Sequence, residues 1–151
     1  MVLAAAMHIA SAAAAETTSA FFLDGKWEGA LNRLSTTENG KPPIKVRLHI
    51  QGEKAQVFVT NAADAWKEAK PGKFHVAQHN FNAVIFANDS GDCWDETWSF
   101  AAALDNANQL VTTFSRVVSN VRCLMPKDES FSSQAGGLLI PQATEATAIT
   151  H

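Results

Sequence analysis

Glu96 is the residue of this chain with the strongest case for chemistry, because tryptophans stand two positions away on either side, at Trp94 and Trp98. A carboxyl group in an apolar setting has a raised pKa and can act as a general acid. Most such residues are instead paired with an arginine, which here would be Arg116 or Arg122. The sequence therefore predicts an ion pair at Glu96, and acid–base catalysis is the weaker alternative.

Two further groups of residues have types that bind metals. Asp89, Asp92 and Asp95 precede Glu96, but their spacing does not match the calcium loop of an EF-hand. His75 and His79 have the spacing of a metal pair on a helix, yet on a strand four residues span about 13 Å, whereas ligands of one ion lie within about 4 Å. We therefore expect no metal and no cofactor.

The rest of the sequence gives no signature of a common enzyme. It contains no nucleophile elbow, phosphate-binding loop, zinc-protease helix or dinucleotide fingerprint. With a formal charge of -3, the chain has no general field that attracts nucleic acid or anionic lipid. Its 151 residues, 46% of them apolar, suffice for one hydrophobic core. We expect a single domain that is not an enzyme.

Alternation of apolar and polar residues runs through most of the chain and predicts half-buried antiparallel strands. The clearest example is 44–51, where a turn at 52–54 leads into a second strand at 55–60. Residues 62–70 are good helix formers and stop at Pro71-Gly72, so we expect one short helix there. Further strands are predicted at 73–78, 81–87, 93–104 and 109–123, with a turn at 88–92.

The last two long strands are joined by turn residues at 105–108 and carry the two cysteines at their far ends. In an exported chain such a pair is most simply a disulfide, and pairing Cys93 with Cys123 folds the hairpin at the predicted turn. The link would stabilise the fold by roughly 3 to 4 kcal/mol. The register gives one aromatic face, on which Trp94, Glu96, Trp98, Phe100, Ala102 and Leu104 oppose Arg122, Asn120, Val118, Arg116, Phe114 and Thr112.

Gly25-Lys26-Trp27 begins the first predicted strand, and arginines lie on the last long one. In this the chain resembles the calycin group, the lipocalins and their relatives. There a G-x-W tryptophan lies under an arginine of the final strand and blocks the closed end of a small barrel. The resemblance implies an antiparallel meander closed into a lipocalin-like barrel of about eight strands. The resemblance also implies a structural role for Trp27, which would block one end of the barrel together with Arg116 or Arg122. An open sandwich has the same alternation.

The two ends of the chain differ in composition from the middle. Residues 1–15 are apolar and rich in alanine, which is typical of a secretory signal peptide and predicts a secreted or periplasmic protein. No segment is long enough to span a membrane. We expect one barrel domain at 16–125 and a polar tail at 126–151, with 136–141 able to pack as a short strand.

These features favour a binding protein for a small apolar or amphipathic molecule held in a barrel or cleft. Its lining would come from the aromatic face, namely Trp94, Glu96, Trp98, Phe100, Phe114 and Arg116. One alternative is a module that binds a secreted or periplasmic protein, such as a protease inhibitor acting through Glu16–Ala20 and the loop at 88–92. A weaker alternative is a barrel enzyme that uses Glu96 with Arg116.

Overall fold

A computed structural model describes residues 22–34, 40–60, 63–120 and 130–143 of the chain. Within them, eight antiparallel strands form a closed barrel in which each strand pairs with the next and the eighth with the first. This confirms the predicted all-β meander and its closure. The strands are β1 (Gly25–Arg33), β2 (Ile44–Gln51), β3 (Lys54–Thr60), β4 (Trp66–His79), β5 (Asn82–Ser90), β6 (Asp95–Leu104), β7 (Leu110–Ser119) and β8 (Phe131–Pro141).

Alternate residues of every strand point into the barrel and form the core. In β2, for example, Val46, Leu48 and Ile50 are buried while the residues between them face outwards. The middle of the barrel is filled by aromatic rings, with neighbouring centroids 4.9 to 6.3 Å apart. These four residues, which we call the aromatic layer, are Phe74, Trp98, Phe100 and Phe114. The interior at this level is therefore packed and not hollow.

The predicted short helix is wrong, because the described residues contain no helix and 66–70 begins β4. Residues 70–73 of β4 oppose Gln56 of β3 alone, so the strand bulges here. Pro71 has no N–H to give to the sheet, and Lys70 and Gly72 have positive φ angles of 43° and 72°. Helix propensity is thus overridden by pairing with β3, and Pro71-Gly72 produces a bulge within a strand.

The two ends of the barrel differ. At one end, which we call the plugged end, short turns join the strands and Leu23 is fully buried. The Trp27 indole Nε1 donates a hydrogen bond to the carbonyl oxygen of Leu23 at 3.0 Å, and the rings of Phe22 and Phe81 are in contact. At the other end, the loop end, the connections are 34–43, 61–65, 91–94 and 120–130.

Trp27 does not lie under Arg116, contrary to one of the two expected pairings. Arg116 pairs with Ser133 of β8, whereas Trp27 pairs with Pro141 at the opposite end of that strand. At about 3.3 Å per residue the two levels are roughly 25 Å apart along the strand. Arg122, the other expected partner, lies outside the described residues.

The hairpin of β6 and β7 is confirmed, but its register differs by two residues from the predicted one. Glu96 opposes Val118, and Phe100 opposes Phe114. The Asp105 carboxylate accepts hydrogen bonds from the backbone N–H groups of Ala107 and Gln109, which sets the turn. A shift of two residues keeps every side chain on its predicted face.

The strand that closes the barrel, β8, lies in the region predicted to be a polar tail, of which only 136–141 were expected to pack as a short strand. It pairs with β7 on one side and β1 on the other, so the barrel extends to Pro141. The sequence of β8 includes Gly136-Gly137, and a Cβ at Gly137 would lie 2.7 Å from the carbonyl oxygen of Ala30. Glycine here permits the close approach of β1, which explains why a weakly apolar segment forms a strand.

Two other expectations concern residues outside the described ones. Residues 1–15, the predicted signal peptide, are among these, and so is Cys123, which leaves the disulfide with Cys93 a prediction. Among the described residues, none forms a helix with the length and apolar character required to cross a membrane.

Candidate ligand-binding site

Glu96 is the centre of a charged cluster inside the loop end of the barrel. Its side chain is only 4% exposed and accepts hydrogen bonds from Arg116 Nε at 2.5 Å and from Trp98 Nε1 at 2.8 Å. Its second oxygen, Oε2, forms an ion pair with Lys70 Nζ. The ion pair with Arg116 that the sequence predicts is present. Every acceptor of this buried carboxylate is thus engaged, which a buried charge requires.

Lys70 reaches this cluster because of the bulge in β4. It also forms an ion pair with Asp89 Oδ2 at 2.9 Å, and its Nζ lies 5.2 Å from the centre of a Trp94 ring. The positive φ of Lys70 turns the chain away from the regular pleat of β4. Sequence reasoning missed this residue because it was assigned to a helix. The lysine directly before Pro71-Gly72 is the signal that could have identified it.

Asp89 forms ion pairs with two lysine side chains at the edge of the cluster. It binds Lys70 and also forms an ion pair with Lys73. Hydrogen bonds from Lys73 and Lys70 lower the pKa of the Asp89 carboxyl group to about 2. The sequence predicts a turn at 88–92, but β5 continues to Ser90, and Asp89 is paired with Glu96 on the inward face. Asp89 is therefore part of the cluster and not of an exposed loop.

Arg116 lies against aromatic rings as well as against Glu96. Its guanidinium carbon is 5.2 Å from the centre of a Trp98 ring and 5.1 Å from that of Phe131. The sequence places Arg116 opposite Phe100, whereas the observed partner across the sheet is Trp98. A cation that faces π systems gains roughly 0.5 to 2 kcal/mol, depending on its desolvation. Phe131 belongs to the segment expected to be a tail and was not predicted to take part.

The electrostatics of the cluster favour its ionised form. Burial raises the pKa of Glu96, but hydrogen bonds from Lys70, Trp98 and Arg116 outweigh burial and leave the pKa below its usual value. Burial lowers the pKa of Lys70, and its bonds to Glu96 and Asp89 outweigh this and raise the pKa. Glu96 is consequently a carboxylate at neutral pH. That state does not suit a general acid, which needs a raised pKa.

A cavity of about 420 Å³ opens over the cluster at the loop end. Of the residues predicted to contact a ligand, Glu96, Trp98 and Arg116 line it. Phe100 and Phe114 do not, because they are buried in the aromatic layer. Trp94 lies next to the cavity through its contact with Lys70. The complete lining is Val59, Lys67, Glu68, Ala69, Lys70, Pro71, Lys73, Asp89, Glu96, Trp98 and Arg116.

Lys67 adds a positive charge at the rim of this cavity. It pairs with Val59 on the inward face of β4 and is exposed to solvent. Among the described residues it has no ion-pair partner, in contrast to Lys70, Lys73 and Arg116. An additional anionic group would therefore meet a cation whose charge is not already offset.

A larger cavity, of about 580 Å³, lies near the plugged end between β1 and the bulge of β4. His49 lies on its rim, where burial and then the nearby charge of Lys26 lower the pKa of the imidazole. Its apolar floor, Ile50 and Phe74, is almost fully buried beneath polar side chains. We regard the smaller cavity as the better candidate, because it combines an exposed cation, an aromatic wall and a preorganised ion cluster.

The histidines singled out in the sequence lie on β4, as the strand assignment of 73–78 implies for His75. The His75 Nδ1 is 3.2 Å from Lys54 Nζ, and its ring contacts Phe86. Within the described part of the chain, no group of three or more histidine, cysteine, aspartate or glutamate side chains is placed to share a metal ion.

Comparisons with protein-family models, with curated proteins and with solved structures find no match to this chain.

Proposed function

We propose that this barrel binds a small amphipathic molecule with an anionic group, such as a carboxylate, in the cavity at the loop end. The observation that carries the proposal is the placement of Lys67. It is an exposed, inward-facing cation without an ion-pair partner in the described structure. The lining of the cavity holds four cationic side chains against three carboxylates, those of Glu68, Asp89 and Glu96. Anionic ligands are selected where positive charge exceeds negative charge over low-dielectric walls.

Arg116 supplies further donors for the same group. Glu96 engages its Nε, while the two Nη nitrogens carry four more N–H groups in a fixed plane. Because Glu96 and the Trp98 ring fix the guanidinium, little side-chain entropy would be lost on binding. Arg116 and Lys67 would thus share the anionic group of the ligand.

The apolar part of the ligand would lie on the aliphatic and aromatic lining. Val59, Ala69, Pro71 and the edge of Trp98 offer this surface. The aromatic layer beneath is filled, so the ligand would be held at the mouth of the barrel and not in its centre. Of the two expected positions, barrel or cleft, this is the cleft. A lipocalin-type relationship remains a proposal supported by Gly25-Lys26-Trp27 and the eight-stranded meander.

Export to the periplasm or the exterior of the cell is a further part of the proposal. The apolar, alanine-rich residues 1–15 support it. The alternative of a protease inhibitor has less support, since Asn88 accepts a hydrogen bond from Thr97 within the sheet and Asp89 points inwards. Its other expected contact, Glu16–Ala20, lies outside the described residues.

The test compares decanoate with decanol, which have the same chain and differ in charge. We expect tryptophan emission to change on titration with decanoate and to change far less with decanol at equal concentration. Lys67→Glu should weaken decanoate binding at least tenfold, since it replaces an attractive charge by a repulsive one. The control, Lys26→Glu, makes the same charge change at the plugged end, and its affinity should stay within about twofold of the original.

Equal affinity for both compounds would refute the anionic part of the proposal. No binding of either would refute this cavity as a site for simple amphipathic anions. If Lys26→Glu weakened binding as much as Lys67→Glu, the larger cavity would be the site instead.

A further inference from the structure

The outer surface of the barrel is divided into a charged half and an uncharged half. The outward-facing residues of β1 to β4 include many charged side chains, namely Lys26, Glu28, Lys45, Arg47, Lys54 and Glu68. In β5 to β8, which the structure describes completely, the outward-facing residues include a single charged one, Asp95. Depletion of charge distinguishes the core of a protein interface from ordinary surface.

Large apolar side chains are exposed on the uncharged half. Val84, Val111, Leu138 and Ile140 each remain about half exposed. They adjoin Ala101 and Ala103, so the exposed apolar surface is continuous across four strands. We call this surface the apolar patch and define it as Val84, Ala101, Ala103, Val111, Leu138 and Ile140. Contiguous exposed apolar surface is often an interaction site.

The apolar patch has a depression beside a ridge. The depression, of about 460 Å³, lies over Ala101 and Ala103, with Val84 and Val111 at its sides. The ridge is formed by Leu138 and Ile140 of β8. Ala103, Val111 and Leu138 are consecutive partners across β6, β7 and β8, so the centres of depression and ridge are roughly 10 Å apart.

We infer that the apolar patch binds a second copy of this chain in a two-fold symmetric dimer. In such a dimer the same surface meets itself, so that residue i contacts residue j and j contacts i. The ridge of each copy can then enter the depression of the other. The two-fold axis passes near Val111, which lies midway between Ala103 and Leu138. The inference concerns a surface on the outside of the barrel and does not depend on the proposed ligand.

Chemistry on the same face favours a second copy over a lipid surface. Ser99, Thr113 and Ser115 adjoin the apolar residues along β6 and β7 and also point outwards. Hydroxyl groups can donate to and accept from identical groups in a partner copy, whereas hydrocarbon offers them no hydrogen bonds. A face without charge also has no need of a partner of opposite charge, so it is compatible with its own copy.

The area of the apolar patch agrees with a weak dimer. The patch spans four strands spaced by about 4.8 Å and about five residues along each strand, which is roughly 320 Å². Two such faces would bury roughly 600 to 700 Å² in total, below the roughly 1,200 Å² of specific, stable interfaces. We therefore expect dimers that form only at high micromolar concentrations of the protein and dissociate on dilution.

The first test uses sedimentation equilibrium of the full chain and of two matched variants. Val111→Arg places like charges at the two-fold axis and should raise the dimer Kd about 100-fold or more. Val117→Arg is the control, since Val117 is on the same strand, faces the same way and has similar exposure, but lies roughly 20 Å away along β7. Its dimer Kd should change by less than about fivefold.

The second test uses complementary charges. Leu138→Lys alone and Ala103→Asp alone should each be monomeric, because each dimer would bury two like charges at the contact. A mixture of the two variants should form a heterodimer, in which one lysine meets one aspartate and the second contact is unchanged. Circular dichroism of each variant establishes that it is folded before mixing.

A wild-type chain that stays monomeric at all accessible concentrations would overturn the inference. Equal effects of Val111→Arg and Val117→Arg, or a mixture that stays monomeric, would overturn the arrangement of ridge and depression. Formation of the heterodimer supports it, even if Val111→Arg fails to fold.

Discussion

Replacing Glu96 by Gln should destabilise the fold considerably, because it removes the charge that two cations share. Glu96 is 4% exposed, and Arg116 and Lys70 bind its two oxygens. Breaking a buried ion pair by removing one partner costs about 3 to 5 kcal/mol. Lys70 keeps Asp89, and Arg116 is about one-third exposed, so we expect a loss near the lower limit, about 3 kcal/mol.

The chain contains a matched control. Glu28 accepts a hydrogen bond from Arg47 Nε at 2.5 Å, the same distance as between Glu96 and Arg116, but Glu28 is 30% exposed. An exposed pair contributes about 0 to 1 kcal/mol. Urea unfolding followed by far-ultraviolet circular dichroism gives the free energy of unfolding of each variant. Glu28→Gln should lose less than about 1 kcal/mol, and the difference between the two losses measures the effect of burial.

The loss in Glu96→Gln should also depend on pH. The pKa of Glu96 is lowered in the folded protein, so its carboxylate stabilises the fold fully above the ordinary value of 4.5, and this stabilisation disappears as the pH falls through the folded pKa. The wild type and Glu96→Gln should therefore converge in stability in acid. If Glu96→Gln lost no more than Glu28→Gln, or if its loss were the same in acid as at neutral pH, the cluster would not act as described.

Three further predictions concern the barrel that carries the cluster. Phe100→Ala should lower the free energy of unfolding, measured with urea, by about 3 to 5 kcal/mol, because Phe100 is fully buried between Phe74 and Phe114. A decrease below about 1 kcal/mol would show that the aromatic layer is not packed. Gly72→Ala should lower the free energy of unfolding by about 1 kcal/mol because of the positive φ angle alone, since nothing lies within 4 Å of the added Cβ. An unchanged midpoint of urea unfolding would contradict the bulge geometry. If Cys93 and Cys123 form the predicted disulfide, thiol titration of the unfolded, non-reduced chain should find no free thiol. Reduction should then lower the free energy of unfolding by roughly 3 to 4 kcal/mol. Two titratable thiols would refute the disulfide.

Local alternation is sufficient to predict most of this fold. The pattern at 44–60 gives β2 and β3 with nearly their observed bounds, and the turn at 105–108 gives the hairpin of β6 and β7. The alternation of inward and outward side chains along β6 also places Glu96 and Trp98 on the buried face. This assignment is correct despite the register error, because a shift of two residues leaves each side chain on the same face. These properties depend on neighbours in sequence or on one turn.

The failures have a common physical cause, which is that pairing with a distant strand overrides local preference. Residues 66–70 favour a helix in isolation, yet β3 supplies a strand partner. Phe131 lies in a segment that looks like a tail, and Gly136-Gly137 lie in one expected to pack only as a short strand, yet both belong to β8, which fills the gap between β7 and β1. Lys70 and Phe131, two of the contacts around Glu96 and Arg116, come from these two segments, so the cluster was only partly predictable.

The most direct test of the proposed function is the indole N–H signals of the four tryptophans in a ¹H–¹⁵N NMR titration with decanoate. Trp98 Nε1 donates to Glu96 at the loop-end cavity, whereas Trp27 Nε1 donates to Leu23 at the plugged end. Binding at the proposed site should shift the Trp98 signal strongly and leave that of Trp27 almost unchanged. A Trp27 signal that shifts while Trp98 stays fixed, or four signals that do not respond, would contradict the assignment of this cavity as the ligand site.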